Sequence, residues 1–144
     1  MRNRTAAEGS AAAGVTGARG ERLAEAFLRR ERGFRVLVRN WRNPRDRREE
    51  LDLVCADGEV LVFVEVKTRA AGARVPGYFA VDRRKRLAVR RAAEAYLRGL
   101  AVVPLTFRLD VVEVALPEDG AEAGAEILHF ENIPLFSKHF RGGR

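Results

Sequence analysis

An apolar run from Val60 to Val66 is interrupted only by Glu65 and followed by Lys67. Leu61, Phe63, Glu65 and Lys67 fall on one face of a strand there, and Val60, Val62, Val64 and Val66 on the other. A second apolar stretch, Glu50-Leu51-Asp52-Leu53-Val54, precedes it, and Asp57-Gly58 between them is a two-residue turn signal that needs positive φ. The pattern predicts a hairpin over Leu51–Thr68. The turn is most simply centred on Asp57-Gly58, which sets Phe63 opposite Asp52, with Glu65 as the diagonal neighbour on the same face. A loop at Gly58-Glu59 sets Asp52 directly opposite Glu65. Either register brings the two carboxylates together, whereas a one-residue slip separates them.

The remaining elements follow in a plain order. Leu23, Phe27 and Leu28 at helical spacing predict a helix over Glu21–Arg32, closed by Gly33. Phe34–Trp41 alternates as a strand. A Gly- and Pro-containing loop spans Ala70–Phe79, and Asp82 is a cap for a helix to about Arg98, with Leu87, Ala88, Ala92, Ala95 and Tyr96 as its inner face. Leu105–Leu116 reads as a long strand and Glu126–Phe130 as a short edge strand.

With 144 residues, 47% apolar and 33% charged, the chain can bury one core and is too short for two ordinary domains. The Ala- and Gly-rich segment 1–18 lacks the apolar run of a secretory signal and is expected as a disordered tail, with a single domain over 19–136 and a flexible basic tail over 137–144. No apolar run approaches the roughly 20 residues of a membrane span. The single cysteine, Cys55, cannot form an internal disulfide; it fits a reducing cytoplasm and reads as a small buried hydrophobe.

The net charge of +7 favours a polyanionic partner, nucleic acid above all. Arginine supplies almost all of the positive charge, since Lys67, Lys85 and Lys138 are the only lysines. That bias weakens the argument from charge and sharpens the one from Lys67.

Asp52, Glu65 and Lys67 are ionisable groups in two of the most apolar segments, where a charge needs a partner, a metal or a shifted pKa. Two adjacent carboxylates call for a cation. Carboxylate oxygens suit Mg²⁺ or Mn²⁺, and two histidines with one cysteine are too few and too scattered for a zinc set. Lys67 could orient or help deprotonate a water on that cation, or stabilise charge developing on a phosphate. These are the parts of a metal-dependent phosphodiesterase. The plainer alternative is a structural Glu-Lys ion pair at the end of a sheet.

An Asp, a hairpin-length spacer and Glu-x-Lys on an apolar strand resemble the PD-(D/E)xK motif of restriction-endonuclease-like nucleases. Gly20-Glu21 opening a helix, Arg39-Asn40-Trp41-Arg42, Glu50-Leu51-Asp52-Leu53-Val54, Val62–Arg69, Arg108-Leu109-Asp110-Val111-Val112 and Asn132-Ile133-Pro134 stand in the order of the YraN family of endonuclease-like proteins, which the chain resembles from about Gly20 to Phe136. It departs from that pattern at Glu49, where the family usually has Gly, and in the preceding Pro44-Arg45-Asp46-Arg47-Arg48.

The resemblance implies an α/β fold with a restriction-endonuclease-like αβββαβ core, a central mixed sheet flanked by helices. It further implies Asp52 and Glu65 as metal ligands, Lys67 as the catalytic lysine and Glu21 as a further acid, although an acid in a first helical turn is also favoured by the helix dipole. Holliday-junction resolvases, which act as dimers on branched DNA, share the fold, so a homodimer is among the expectations.

Arg83, Arg84 and Lys85 on the second helix, Arg45, Arg47 and Arg48 beside the site strand, and Arg69 are candidates for phosphate contact, and Tyr78 for stacking on a base. An ordinary solvated helix face explains the basic run equally well. Trp41 reads as core, Arg108 with Asp110 as a buried pair bracing the sheet, and His129 and His139 receive no role. The expected function is a Mg²⁺- or Mn²⁺-dependent nuclease acting on DNA more than RNA. The rival is a nucleic-acid binder, or a protein-interaction adaptor, that keeps the fold without turnover.

Overall fold

The computed structural model describes residues 5–70 and 83–134, with side chains from Gly17 onward. Helix α1 (Thr5–Glu31) is followed by strands β1 (Arg35–Asn43), β2 (Asp46–Asp57) and β3 (Val60–Ala70). Helix α2 (Arg83–Arg98) comes next, then β4 (Phe107–Leu116), a short 3₁₀ turn at Glu122–Gly124, and β5 (Glu126–Ile133). The strands form one mixed sheet in the order β1-β2-β3-β4-β5. Among the described strands only β3 and β4 run parallel, with α2 on the connection that parallel strands require. This is an α/β fold with the expected order αβββαβ, and β5 added on the far edge.

Alternation sorts the core onto two faces. Val62 and Val64 of β3, Val112 and Val114 of β4 and Leu53 and Cys55 of β2 pack beneath Ala24 and Leu28 of α1. Leu61, Phe63, Leu109 and Val54 face Val89, Ala92 and Ala93 of α2, with Trp41 edge-on to Tyr96 at 5.5 Å. Trp41 and Cys55 therefore have the core roles expected of them, and burial pushes the Cys55 thiol up to about 12.

Several boundaries differ from the expectation. Helix α1 starts at Thr5, inside the segment assigned to a disordered tail, because the alanines there favour helical backbone. Pro44-Arg45 forms a tight turn between β1, which ends at Asn43, and β2, which begins at Asp46 inside what reads as an insertion. The inner stripe of α2 is Val89, Ala92 and Ala93, with Leu87 exposed, since packing follows the sheet face the helix lies on. Strand β5 continues past Phe130 to Ile133. The Ala70–Phe79 loop (apart from Ala70 itself), Tyr78, Asp82, His139 and the tail 137–144 lie outside the described residues.

Candidate active site

The β2–β3 hairpin takes the second of the two registers. Asp57 pairs with Val60 and Leu53 with Val64, so the loop is Gly58-Glu59, not Asp57-Gly58. Gly58, with φ 58°, occupies the first loop position, the one that needs positive φ.

Pairing between β2 and β3 stops at Leu53↔Val64. Beyond that point β2 continues against β1, and β3 continues against β4 from Glu65↔Val111 to Ala70↔Leu116. The sheet forks, and Asp52 and Glu65 are the first residues past the fork. Asp52 Oδ2 accepts the Val66 N–H at 2.8 Å, so a side chain takes up a backbone donor that the parting strands leave. Strand parity also breaks here: Leu53 packs under α1, whereas Leu51 packs under α2. Across β1, Asn40 adopts φ 50° between the pairs Arg39↔Leu53 and Trp41↔Leu51, a conformation asparagine tolerates better than other non-glycine residues.

Glu65 is buried, with 4% of its side chain exposed, and two lysines reach it. Lys85 Nζ lies 3.3 Å from its Oε1 and Lys67 Nζ 3.7 Å. Burial, and after it the charge of Asp52, pushes the Glu65 carboxyl up to about 7. Burial raises Asp52 as well, opposed by the Val66 N–H, by Lys85 and by a hydrogen bond with the Glu65 carboxyl. Lys85 is displaced upward: burial alone would lower it, but Glu65 and Asp52 outweigh that cost. Glu21 approaches from α1; burial, then Asp52 and Glu50, raise its carboxyl, and a hydrogen bond with Asn40 partly offsets them.

Buried Glu65 and half-buried Asp52, both of which resist ionisation, are with their neighbouring ammonium groups a donor set that a hard divalent cation fits. Among the described residues no three His, Cys, Asp or Glu side chains converge on one point. Such a cation would therefore rely on water for much of its shell, which is the habit of Mg²⁺ and Mn²⁺.

The structure thus brings Asp52, Glu65 and Lys67 together, with Glu21 alongside. A model of the uncharacterised protein family UPF0102 matches residues 20–114. The chain belongs to that family. A UPF0102 protein of Moorella thermoacetica is 40% identical over 109 residues, covering 76% of this chain and 88% of the relative. One of Anaeromyxobacter dehalogenans is 48% identical over 98 residues (68% and 70%), and one of Beutenbergia cavernae 43% over 117 residues (81% and 93%). Glu21, Asp52, Glu65, Lys67 and Lys85 all lie inside the UPF0102 match.

Other candidates have different settings in this UPF0102 protein. Arg69, expected at nucleic acid, is mostly buried with its Nε 2.8 Å from Glu113, itself buried on the same face. Arg48 pairs with Asp46, and Glu50 pairs with Arg42 rather than with Arg47 or Arg48. Arg45 and Arg47 are exposed at the β1–β2 turn, five or more residues along the strand from Asp52. Arg83 and Arg84 are exposed on the first turn of α2. His129, given no role, is buried and bonded to Asp110 at 2.8 Å. The place of Lys85 was readable from spacing, since it precedes Val89, Ala92 and Tyr96 on one helical stripe, but its charge within the Arg83–Arg86 run pointed to a solvated face.

Proposed function

We propose that this UPF0102 protein is a metal-dependent nuclease with a restriction-endonuclease-like, PD-(D/E)xK core that hydrolyses phosphodiester bonds in nucleic acid, DNA in preference to RNA. The observation that carries the reading is the pair of half-buried Asp52 and buried Glu65, two carboxylates bonded to each other at the fork with Lys67 one alternation further along β3. A structural ion pair between Glu65 and its lysines needs neither a second acid nor a fork; Asp52, an acid raised by burial and bonded at the same point, adds cost to such a pair.

Asp52 and Glu65 would hold Mg²⁺ or Mn²⁺, which when bound supplies Lewis-acid stabilisation of the charge that builds on the phosphoryl oxygens. Val66, by donating its N–H to Asp52, fixes the orientation of that carboxylate. Lys67 sits on a strand paired along its length with β4, so its ammonium is held where it can stabilise phosphate charge or orient the attacking water. Glu21 adds negative charge from α1 within electrostatic range of Asp52, and the exposed Arg83 and Arg84 extend positive charge outward from the site for the flanking backbone.

The test compares wild type with Glu65→Ala on linear, branched and single-stranded DNA and on RNA, with Mg²⁺ and with Mn²⁺. Metal-dependent cleavage by wild type, lost in the variant, is the expected result. Equal activity in both, or no cleavage by either with salt-sensitive binding retained, would overturn it in favour of a non-catalytic nucleic-acid binder. No affinity for any nucleic acid would point to a protein-interaction adaptor.

A further inference from the structure

The described residues contain two of the three lysines in the chain, Lys67 and Lys85, and both converge on Glu65. Elsewhere among the described residues the positively charged side chains are arginines. They approach from different elements, Lys67 from the central sheet and Lys85 from the first turn of α2, and it is the helical one that lies closer to the carboxylate. Its side chain is 32% exposed against 4% for Glu65, so the ammonium stands between the buried acid and solvent. Arg83, Arg84 and Arg86 flank it, all exposed.

We propose that Lys85 is a shared cation, neutralising Glu65 in the free protein and passing to a nucleic-acid phosphate in the complex, so that divalent cation and nucleic acid bind with positive coupling through this side chain. The inference rests on the metal-site reading and adds a regulation to it. A divalent cation on Asp52 and Glu65 meets repulsion from the ammonium already seated on Glu65 Oε1. The four-carbon stem lets that ammonium swing, which a forked guanidinium locked on a carboxylate would resist. A phosphate held near the Arg83–Arg86 turn offers it a new partner at the N-terminal end of α2, where the helix dipole also favours negative charge. Each ligand then removes an obstacle to the other, and linkage requires the two effects to be equal in size.

The experiment titrates full-chain protein with Mn²⁺ by electron paramagnetic resonance, alone and with a phosphorothioate oligothymidine that resists hydrolysis. In wild type the oligonucleotide is expected to tighten Mn²⁺ binding by about tenfold, within the usual range of coupling. In Lys85→Met, Mn²⁺ alone should bind about tenfold tighter than to wild type, and the oligonucleotide should add no further gain. Unchanged or weaker Mn²⁺ binding in a folded Lys85→Met protein, or coupling that survives the substitution, overturns the proposal. Should Lys85→Met fail to fold by circular dichroism, wild type decides: no tightening of Mn²⁺ by the oligonucleotide overturns it. Wild type binding no Mn²⁺ overturns the metal reading and this inference together. Mn²⁺ binding that is lost in Glu65→Gln but indifferent to Lys85 overturns the inference alone.

Discussion

Gly20 of α1 lies against Thr68 of β3 so closely that a Cβ on the glycine would come 1.8 Å from Thr68 Oγ1 and 3.0 Å from its Cβ. The approach sets the height of α1 over the sheet. Glu21, the next residue, comes within electrostatic range of Asp52 and hydrogen-bonds Asn40 because the helix is that close. Gly20→Ala should therefore cost about 1–3 kcal/mol by overpacking, and Thr68→Gly should recover part of it in the double variant. Urea denaturation of the four proteins measures this; additive losses would show that the two positions do not share the contact.

The Asp52–Glu65 pair makes metal-free stability depend on pH in an unusual direction. The Glu65 carboxyl lies at about 7 in the folded protein, against an ordinary value near 4.5. A raised carboxyl means that the folded state binds the proton more tightly, so its contribution is fully present below about pH 4.5 and is lost as pH rises toward 7. The loss is of the order of 3 kcal/mol before other groups are counted. Thermal melts in chelator from pH 5 to 8 should show the decline, and Glu65→Gln should flatten it. Mn²⁺ should stabilise the protein more at pH 8 than at pH 5.5, because the ligands must be ionised.

Asp110 imposes the opposite dependence at the acid end. It is fully buried, and although burial by itself would raise it, His129, Arg108 at 3.0 Å and the Asn132 N–H together hold its carboxyl below the usual range. A depressed carboxylate stabilises the fold above its unfolded value near pH 4, and that contribution is lost as pH falls through the folded value. Asp110→Ala should cost about 3–5 kcal/mol by leaving Arg108 half-buried without its nearest partner. Denaturation of the variant at pH 7 and pH 3 checks both: the gap from wild type must narrow in acid.

On the proposed function the arginines divide between two tasks. Arg83→Gln with Arg84→Gln should weaken nucleic-acid binding about equally across sequences and reduce the slope of its salt dependence by about one unit for each phosphate that the arginines no longer neutralise. Arg69→Gln, by removing the partner 2.8 Å from buried Glu113, should lower the melting temperature instead. Fluorescence anisotropy at several salt concentrations alongside thermal melts separates the two, and an Arg69→Gln protein of wild-type stability would refute the division.

Much of this molecule was legible in its residues one strand or helix at a time. Periodicity placed Leu61, Phe63 and Glu65 on one face, and with the turn and cap signals it predicted a helix, a strand, a hairpin, a second helix, a long strand and an edge strand, because a period of two or of 3.6 is a local property of the backbone. The burial cost of Asp52, Glu65 and Lys67 was legible for the same reason: charged residues stand out in apolar strands. Tertiary structure decided the rest. It chose Gly58-Glu59 as the hairpin loop, against the Asp57-Gly58 that local turn chemistry favoured. It opened the sheet past Leu53 and Val64, so that the carboxylates meet in a fork rather than on a flat ladder. It turned Lys85 inward and joined His129 to Asp110 across 19 positions of chain. Such contacts are set by which faces the helices cover and how strands distant in sequence are paired, and neither is encoded in the period of any single segment.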